Sequence, residues 1–170
     1  RDRGLIASTE GKKSRAIVEY GIEALKAVWH RGAVDADGKT GDGAGIHVEI
    51  PKDFFIEKIQ VTGHDYDNSE ICVGMIFLPR NDYSAQESCK TIVESELTKN
   101  NFSIYGWRQV PVNSKVLGEK ALQTMPEIIQ VLFKSNDPNL LDKKLERKIY
   151  ETRKRIENKA FDASLNNFYI

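Results

Sequence analysis

Apolar positions recur every three to four residues from Ile17 to Trp29, through Val18, Gly21, Ile22, Leu25 and Val28. That spacing predicts an amphipathic helix, and Ser14 just before it is a residue type that caps the free N–H groups of a first turn. A second periodic segment opens at Ser84-Ala85-Gln86-Glu87, a capping-box pattern, and carries Ala85, Cys89, Ile92, Val93 and Leu97 on one stripe to about Asn100. A third puts Leu141, Leu145, Ile149 and Ile156 along a charged helix expected over 138–160, with Asp137-Pro138 as its start signal. Short helical stretches are expected at 51–60 and 117–124. Strands are expected at 4–8, at 46–50 where Ile46-His47-Val48-Glu49-Ile50 alternates as a half-buried strand does, and at 71–78, whose continuous apolar run reads as buried on both faces. Two more are expected at 102–110 and 128–133, and 62–69 reads as a polar loop. Helices and strands alternate, but not in the rhythm of a doubly wound parallel sheet. The pattern therefore supports a mixed α/β or α+β domain, and with no internal repeat or linker one domain is the simplest parse.

Composition removes several function classes. The 170 residues contain 25 basic and 25 acidic side chains, a formal net charge of zero, so nothing global draws the chain to nucleic acid or to an anionic membrane. No apolar run approaches the roughly 18 residues of a membrane span. Two cysteines give no disulfide framework, which makes a reducing, cytoplasmic setting the default. Cys72 lies in the expected buried strand and Cys89 on the apolar stripe of the second helix, so both read as core residues. The chain opens on Arg1 and closes on the aromatic, strand-prone Phe168-Tyr169-Ile170. It is therefore expected to be an incomplete piece of a larger domain.

Candidate chemistry concentrates in one loop. Five of the twelve glycines fall between His30 and Gly45, between the first helix and the second expected strand. Arg31 stands at the mouth of this loop beside Gly32, a pairing of guanidinium and accessible backbone that suits an anion; the alternative is a plain glycine-rich connection. Gly38-Lys39-Thr40 has the ending of a phosphate-binding loop, but Ala33 occupies the position of the required glycine, and the loop leaves a helix for a strand instead of the reverse. His64, Asp65 and Asp67 lack further His or Cys at ligand spacing and read as a solvated loop, not a metal site. His47 reads as a sheet-face residue, and His30 as a structural histidine, the alternative being one that orients the loop by hydrogen bonding. The helix expected at 138–160 carries eight basic residues against four acidic ones. It is either a solvated face or a surface that docks RNA or an acidic partner.

His30-Arg31-Gly32-Ala33 followed by Thr40-Gly41-Asp42-Gly43-Ala44-Gly45 resembles the glutamine amidotransferase domain at the start of the glutamate synthase large subunit. So do Gly4-Leu5-Ile6-Ala7, Gly106-Trp107-Arg108 with Val110-Pro111, Pro126-Glu127-Ile128-Ile129-Gln130 and Asn167-Phe168-Tyr169-Ile170, in the same order along the chain. The resemblance implies the α+β, four-layer αββα fold of the amino-terminal nucleophile hydrolases, here incomplete, with residues 1–170 as the first part of a domain that continues further. It implies hydrolysis of L-glutamine to glutamate and ammonia, with the ammonia passed to 2-oxoglutarate in the parent enzyme for glutamate biosynthesis.

The resemblance also implies an absence. The family's mature domain begins with a cysteine that is nucleophile through its thiol and base through its α-amino group. Counting back from Gly4-Leu5-Ile6-Ala7 puts Arg1 at that position; alternatively Arg1-Asp2 matches the end of the family's propeptide and the cysteine is missing between Asp2 and Gly4. Either way no catalytic residue is identified, because a guanidinium is not a nucleophile. The chain alone is therefore expected to be inactive. The resemblance assigns Arg31 and Gly32 to the substrate carboxylate and makes Thr40, Gly41, Asp42 and Gly43 a possible pocket loop. The family's oxyanion asparagine-glycine pair and amine-binding aspartate belong to sequence beyond this chain. It implies no metal and no cofactor here, the flavin mononucleotide and iron-sulfur cluster belonging to the parent oxidoreductase. The implied partners are the rest of the large subunit and, in some members, a small subunit. The alternative is a non-catalytic binding module that kept the fold and uses the basic helix to dock an acidic partner or RNA.

Overall fold

A computed structural model describes residues 3–170. In chain order the regular elements are α1 (Arg15–Ala27), α2 (Lys52–Val61), β1 (Cys72–Leu78), α3 (Tyr83–Lys99), β2 (Phe102–Gln109), α4 (Glu119–Gln123), β3 (Glu127–Ser135) and α5 (Asp142–Asp162). Short 3-10 turns occur at Trp29–Arg31 and Ser114–Val116. The chain divides into two compact units. One takes the residues up to Glu49 together with Asn113–Thr124, and the other takes Ile50–Val112 with Met125–Ile170.

In the second unit β3 is the middle strand of an antiparallel sheet with the order β1-β3-β2. Alternation along each strand sends side chains to two covered faces. Cys72, Ile76 and Leu78 of β1, Phe102 of β2 and Val131 and Phe133 of β3 pack with Cys89, Val93 and Leu97 of α3 and Leu145, Ile156 and Ala160 of α5. On the opposite face Leu132 and Tyr105 meet Phe55 and Ile59 of α2, with Ile71 beside them. The run at 71–78 is thus covered on both sides, although the α2 face is covered less fully and Met75 is 40% exposed. Each fully buried aliphatic or aromatic chain contributes about 1.5–3 kcal/mol. At the outer edge of β1, Phe77 and Tyr169 exchange backbone hydrogen bonds of 2.9 and 3.1 Å, and Phe168 is buried in the same core.

The register of β2 contains a bulge. Ile104 pairs with Phe133 but Gly106, not Tyr105, pairs with Leu132. Gly106 has φ of 151°, in the region that favours glycine, and a Cβ there would stand 2.7 Å from Thr62 Cγ2. The Thr62 hydroxyl lies 2.8 Å from the Tyr105 carbonyl and 2.6 Å from that of Ile59, which ties the end of α2 to the bulge. Tyr105 in turn donates its phenol to Asp67 at 2.8 Å, and Lys134 also pairs with Asp67. Lys134 foremost, then Ser69, with Tyr105 adding less, hold the Asp67 carboxyl below the usual carboxylate range.

Several expected boundaries move. The cap of α3 is Asp82, whose carboxylate accepts from Ala85 N at 2.9 Å, so Ser84 lies inside the first turn. The Gln86 amide instead turns back to the carbonyls of Pro79 and Arg80 at 2.8 and 3.1 Å. Asp137-Pro138 begins a turn and not the helix: Asn139 N and Leu140 N bond back to Asp137, and α5 starts four residues after Pro138. Leu141 therefore drops out of the stripe and is 51% exposed, while Thr152 is buried in its line because its hydroxyl is satisfied by the Lys148 carbonyl at 2.8 Å.

In the first unit Ser14 caps α1 as its residue type predicts, accepting from Ala16 N at 3.2 Å. The apolar stripe of α1 is half-buried at most. The strands expected at 4–8 and 46–50 do not form. A strand is completed by hydrogen bonds to a neighbour, none among the described residues pairs with either segment, and Leu5 is 92% exposed with Ile46 and Val48 at 47% each. Arg1, and with it the expected nucleophile position, lies outside the described residues. No described helix is long and apolar enough to cross a membrane.

Candidate functional site

The loop that follows α1 is held by its own hydrogen bonds. Val28 ends α1, and Arg31 N and Gly32 N bond to the carbonyls of Val28 and Trp29 at 3.0 Å each, so Arg31 closes a tight 3-10 turn. From Ala33 the chain runs out to a turn and back. Val34 and Gly41 form an antiparallel bridge, Asp35 N donates to the Thr40 carbonyl at 2.7 Å, and Gly38 N donates to that of Asp35 at 2.9 Å. At the base, Asp42 Oδ1 accepts from Ala33 N at 2.8 Å, and a Cβ on Gly32 would stand 4.0 Å from the same oxygen. The structure therefore brings Arg31 and Gly32 together with Thr40, Gly41 and Asp42, the groups singled out from sequence, with Gly43 next in line.

The tip of the loop is organised around Asp37. Its carboxylate accepts from Lys39 N at 2.9 Å, from Thr40 N at 2.7 Å and from the Thr40 hydroxyl at 2.5 Å. The Thr40 hydroxyl and amide, then the Lys39 amide, hold this carboxyl well below the usual carboxylate range. The same bonds show why Gly38-Lys39-Thr40 makes no phosphate cradle: the amides that would meet a phosphate already face a carboxylate.

Two residues that sequence reading missed complete this arrangement. Lys120 of α4 reaches both carboxylate oxygens of Asp35, at 2.8 and 2.7 Å. Gly118, the residue that opens α4, lies against the loop tip so closely that a Cβ on it would overlap the side chains of Thr40 and Asp37 and stand 2.7 Å from Thr40 N. Nothing in the spacing of Asp35 and Lys120, eighty-five residues apart, announces their pairing.

The two thiols are placed as their patterns predict. Both are buried in the second unit. Burial pushes Cys72 up to about 12, with Glu70 and Glu146 adding to the effect, and burial also raises Cys89. Neither supplies a thiolate near neutral pH. Of the acidic loop, His64 Nδ1 lies 3.1 Å from the Thr62 hydroxyl and Asp67 is engaged by Lys134 and Tyr105. No group of three or more potential metal ligands occurs among the described residues. The basic residues of α5 are interleaved with acids: Arg147 pairs with Glu151 at 2.9 Å, Arg153 with Glu157 at 3.3 Å, Lys154 with Glu157 at 2.5 Å, and Lys159 with the buried Glu96 of α3.

Comparison with known proteins bears on the whole chain. The sequence profile of the glutamine amidotransferases class-II matches residues 3–170. The large chain of an NADPH glutamate synthase from Azospirillum brasilense is 52% identical over 167 residues, which is 98% of this chain and 11% of that protein. A chloroplastic/mitochondrial ferredoxin-dependent glutamate synthase from Arabidopsis thaliana is 38% identical over 155 residues, 91% of this chain and 9% of its own length. A chloroplastic ferredoxin-dependent glutamate synthase from Spinacia oleracea is 38% identical over 159 residues, covering 92% of this chain and 10% of that protein. The chain thus spans about a tenth of the length of the curated relatives it matches. With the profile matched from residue 3 to residue 170, the chain belongs to the class II glutamine amidotransferases.

Proposed function

We propose that this chain forms the carboxylate-binding part of a glutaminase site in a glutamate synthase. The observation that carries the reading is the Arg31-Gly32 turn, fixed against Thr40–Asp42 by the Ala33–Asp42 hydrogen bond and the Val34–Gly41 bridge. A planar guanidinium on such a turn makes a charge-assisted, two-pronged contact with the α-carboxylate of glutamine, and this orients the side-chain amide for attack. In the complete four-layer αββα domain, the terminal cysteine of the family attacks that amide. The oxyanion is stabilised by hydrogen-bond donors, ammonia leaves, and water cleaves the thioester to give glutamate. The ammonia then reaches 2-oxoglutarate at a second site, whose flavin and iron-sulfur cluster we place in the remainder of the parent chain.

Neither Cys72 nor Cys89 is placed to serve as the nucleophile. Purified alone, the chain should release no ammonia from glutamine above buffer background, since its two cysteines are both buried. Ammonia release that scales with the protein and survives replacement of Cys72 and Cys89 would overturn this part of the reading. The carboxylate assignment is tested in the full-length enzyme with L-glutamine and L-glutaminamide, whose α-carboxylate is replaced by a neutral amide. We expect KM to be at least roughly tenfold higher for the amide, as loss of a charged hydrogen-bonded contact implies. Equal KM values would remove the carboxylate from the site. The binding-module alternative predicts instead that the chain captures an acidic protein or RNA, and that charge reversal at Lys143 and Lys144 abolishes the capture.

A further inference from the structure

Loop 32–43 has no apolar anchor of its own: every one of its residues is exposed except Thr40, which is intermediate. It is tied down from elsewhere in its unit by the Asn113–Thr124 segment. Gly118 fits against the Asp37–Thr40 tip with no room for a side chain, and Lys120, two residues on, grips both oxygens of Asp35. Gly118 has φ of −72°, open to any residue, so the requirement there is space. Asp35 itself sits in the two-stranded part of the loop, one residue beyond the Val34–Gly41 bridge whose other end leads to Asp42 and the Ala33 amide. A pull on Asp35 is therefore passed along hydrogen-bonded backbone to the turn that ends at Arg31.

We propose that Lys120 and Gly118 are positioning residues for glutamine: α4 clamps the loop from behind and sets how well Arg31 is preorganised for the substrate carboxylate. This rests on the carboxylate-binding reading of Arg31. The clamp touches no reacting atom, so loosening it lets the loop sample geometries in which the guanidinium does not meet the carboxylate. Substrate affinity falls and the chemical step, once the substrate is seated, is unchanged.

The test uses the full-length enzyme. Lys120→Met keeps most of the length of the side chain and removes the charge; since the pair is partly exposed, folding should survive. KM for glutamine should rise about fivefold, equivalent to about 1 kcal/mol, the upper end for such a pair, with kcat within about twofold. Lys120→Arg should return KM most of the way. The exchange Asp35→Lys with Lys120→Asp should recover part of what either single change loses. Gly118→Ala, which forces the tip away, should raise KM by about tenfold or more. The glutaminamide comparison gives a second readout, because Lys120→Met should narrow the difference between the two substrates. If Lys120→Met and Gly118→Ala leave KM unchanged while Arg31→Ala raises it, the clamp is overturned and the carboxylate reading stands. A fall in kcat at constant KM would also overturn the clamp. If Arg31→Ala leaves KM unchanged as well, the carboxylate reading fails and takes the clamp with it.

Discussion

Replacing Arg31 by alanine in the full-length enzyme will raise KM for glutamine by roughly ten- to a hundredfold and leave kcat within about twofold. On the carboxylate reading proposed above, the contact removed is charged and two-pronged, so its loss should cost about 1.5–3 kcal/mol, at about 1.4 kcal/mol per decade. The split between the constants follows from where the contact is made. The α-carboxylate is remote from the amide that reacts and is held equally in ground and transition states, so its loss is a loss of uniform binding. Lysine at the same position recovers only part, because an ammonium offers a point charge where the carboxylate needs a planar fork. In the alanine variant glutamine and glutaminamide should have nearly the same KM, since nothing remains to tell them apart. Unaltered glutamine affinity would make the His-Arg-Gly turn a structural connection and end the carboxylate assignment.

The largest effect on stability is expected at Leu132. It is fully buried on the α2 face of the sheet, among Phe55, Ile59, Ile71 and Tyr105. Leu132→Ala removes three carbons and leaves a cavity between a sheet and a helix, neither of which can close it alone. The cost should be about 2–5 kcal/mol, read as a fall in the urea midpoint with little change in slope. Met75→Ala on the same face, where the side chain is 40% exposed, is the control and should cost under about 1 kcal/mol. A loss at Leu132 no larger than at Met75 would mean that α2 does not cover this face in solution.

What could be read in advance divides along a physical line. Segments whose order is local were legible: the Ser14 cap, the stripe through Cys89, Val93 and Leu97, and the apolar runs of β1, β2 and β3 carry their signal in adjacent residues. The start of α5 was misplaced because Asp137-Pro138 suits a turn as well as a helix, and only the Ser135, Asn139 and Leu140 contacts decide between them. Segments 4–8 and 46–50 have strand composition but no strand, since pairing is supplied by a neighbour and composition says nothing of whether one is present. The loop of the candidate site was found through its glycines and Arg31. The internal brace at Asp37 and the grip of Lys120 on Asp35 were not, because the first is a side-chain choice among several acids and the second joins residues far apart in sequence.

The bulge in β2 sets the parity of everything that follows it. Before it, Phe102 and Ile104 point toward α3 and α5; after it, the odd-numbered Trp107 packs against that same core and reaches Glu94 of α3 at 2.7 Å, while Arg108 goes to the other side, bonding Gln130 at 2.7 Å and covering the Phe54 ring at 5.0 Å. Tyr105 is the odd residue that makes this inversion possible. Regular pairing with no bulge, Tyr105 taking Leu132 as its partner, would exchange the two addresses, sending an indole toward a guanidinium's place and a charge into an apolar core. The two addresses therefore depend on the extra residue staying unpaired: loss of Tyr105 itself would leave Gly106, Trp107 and Arg108 opposite their present partners, whereas closing the bulge with every residue kept would not.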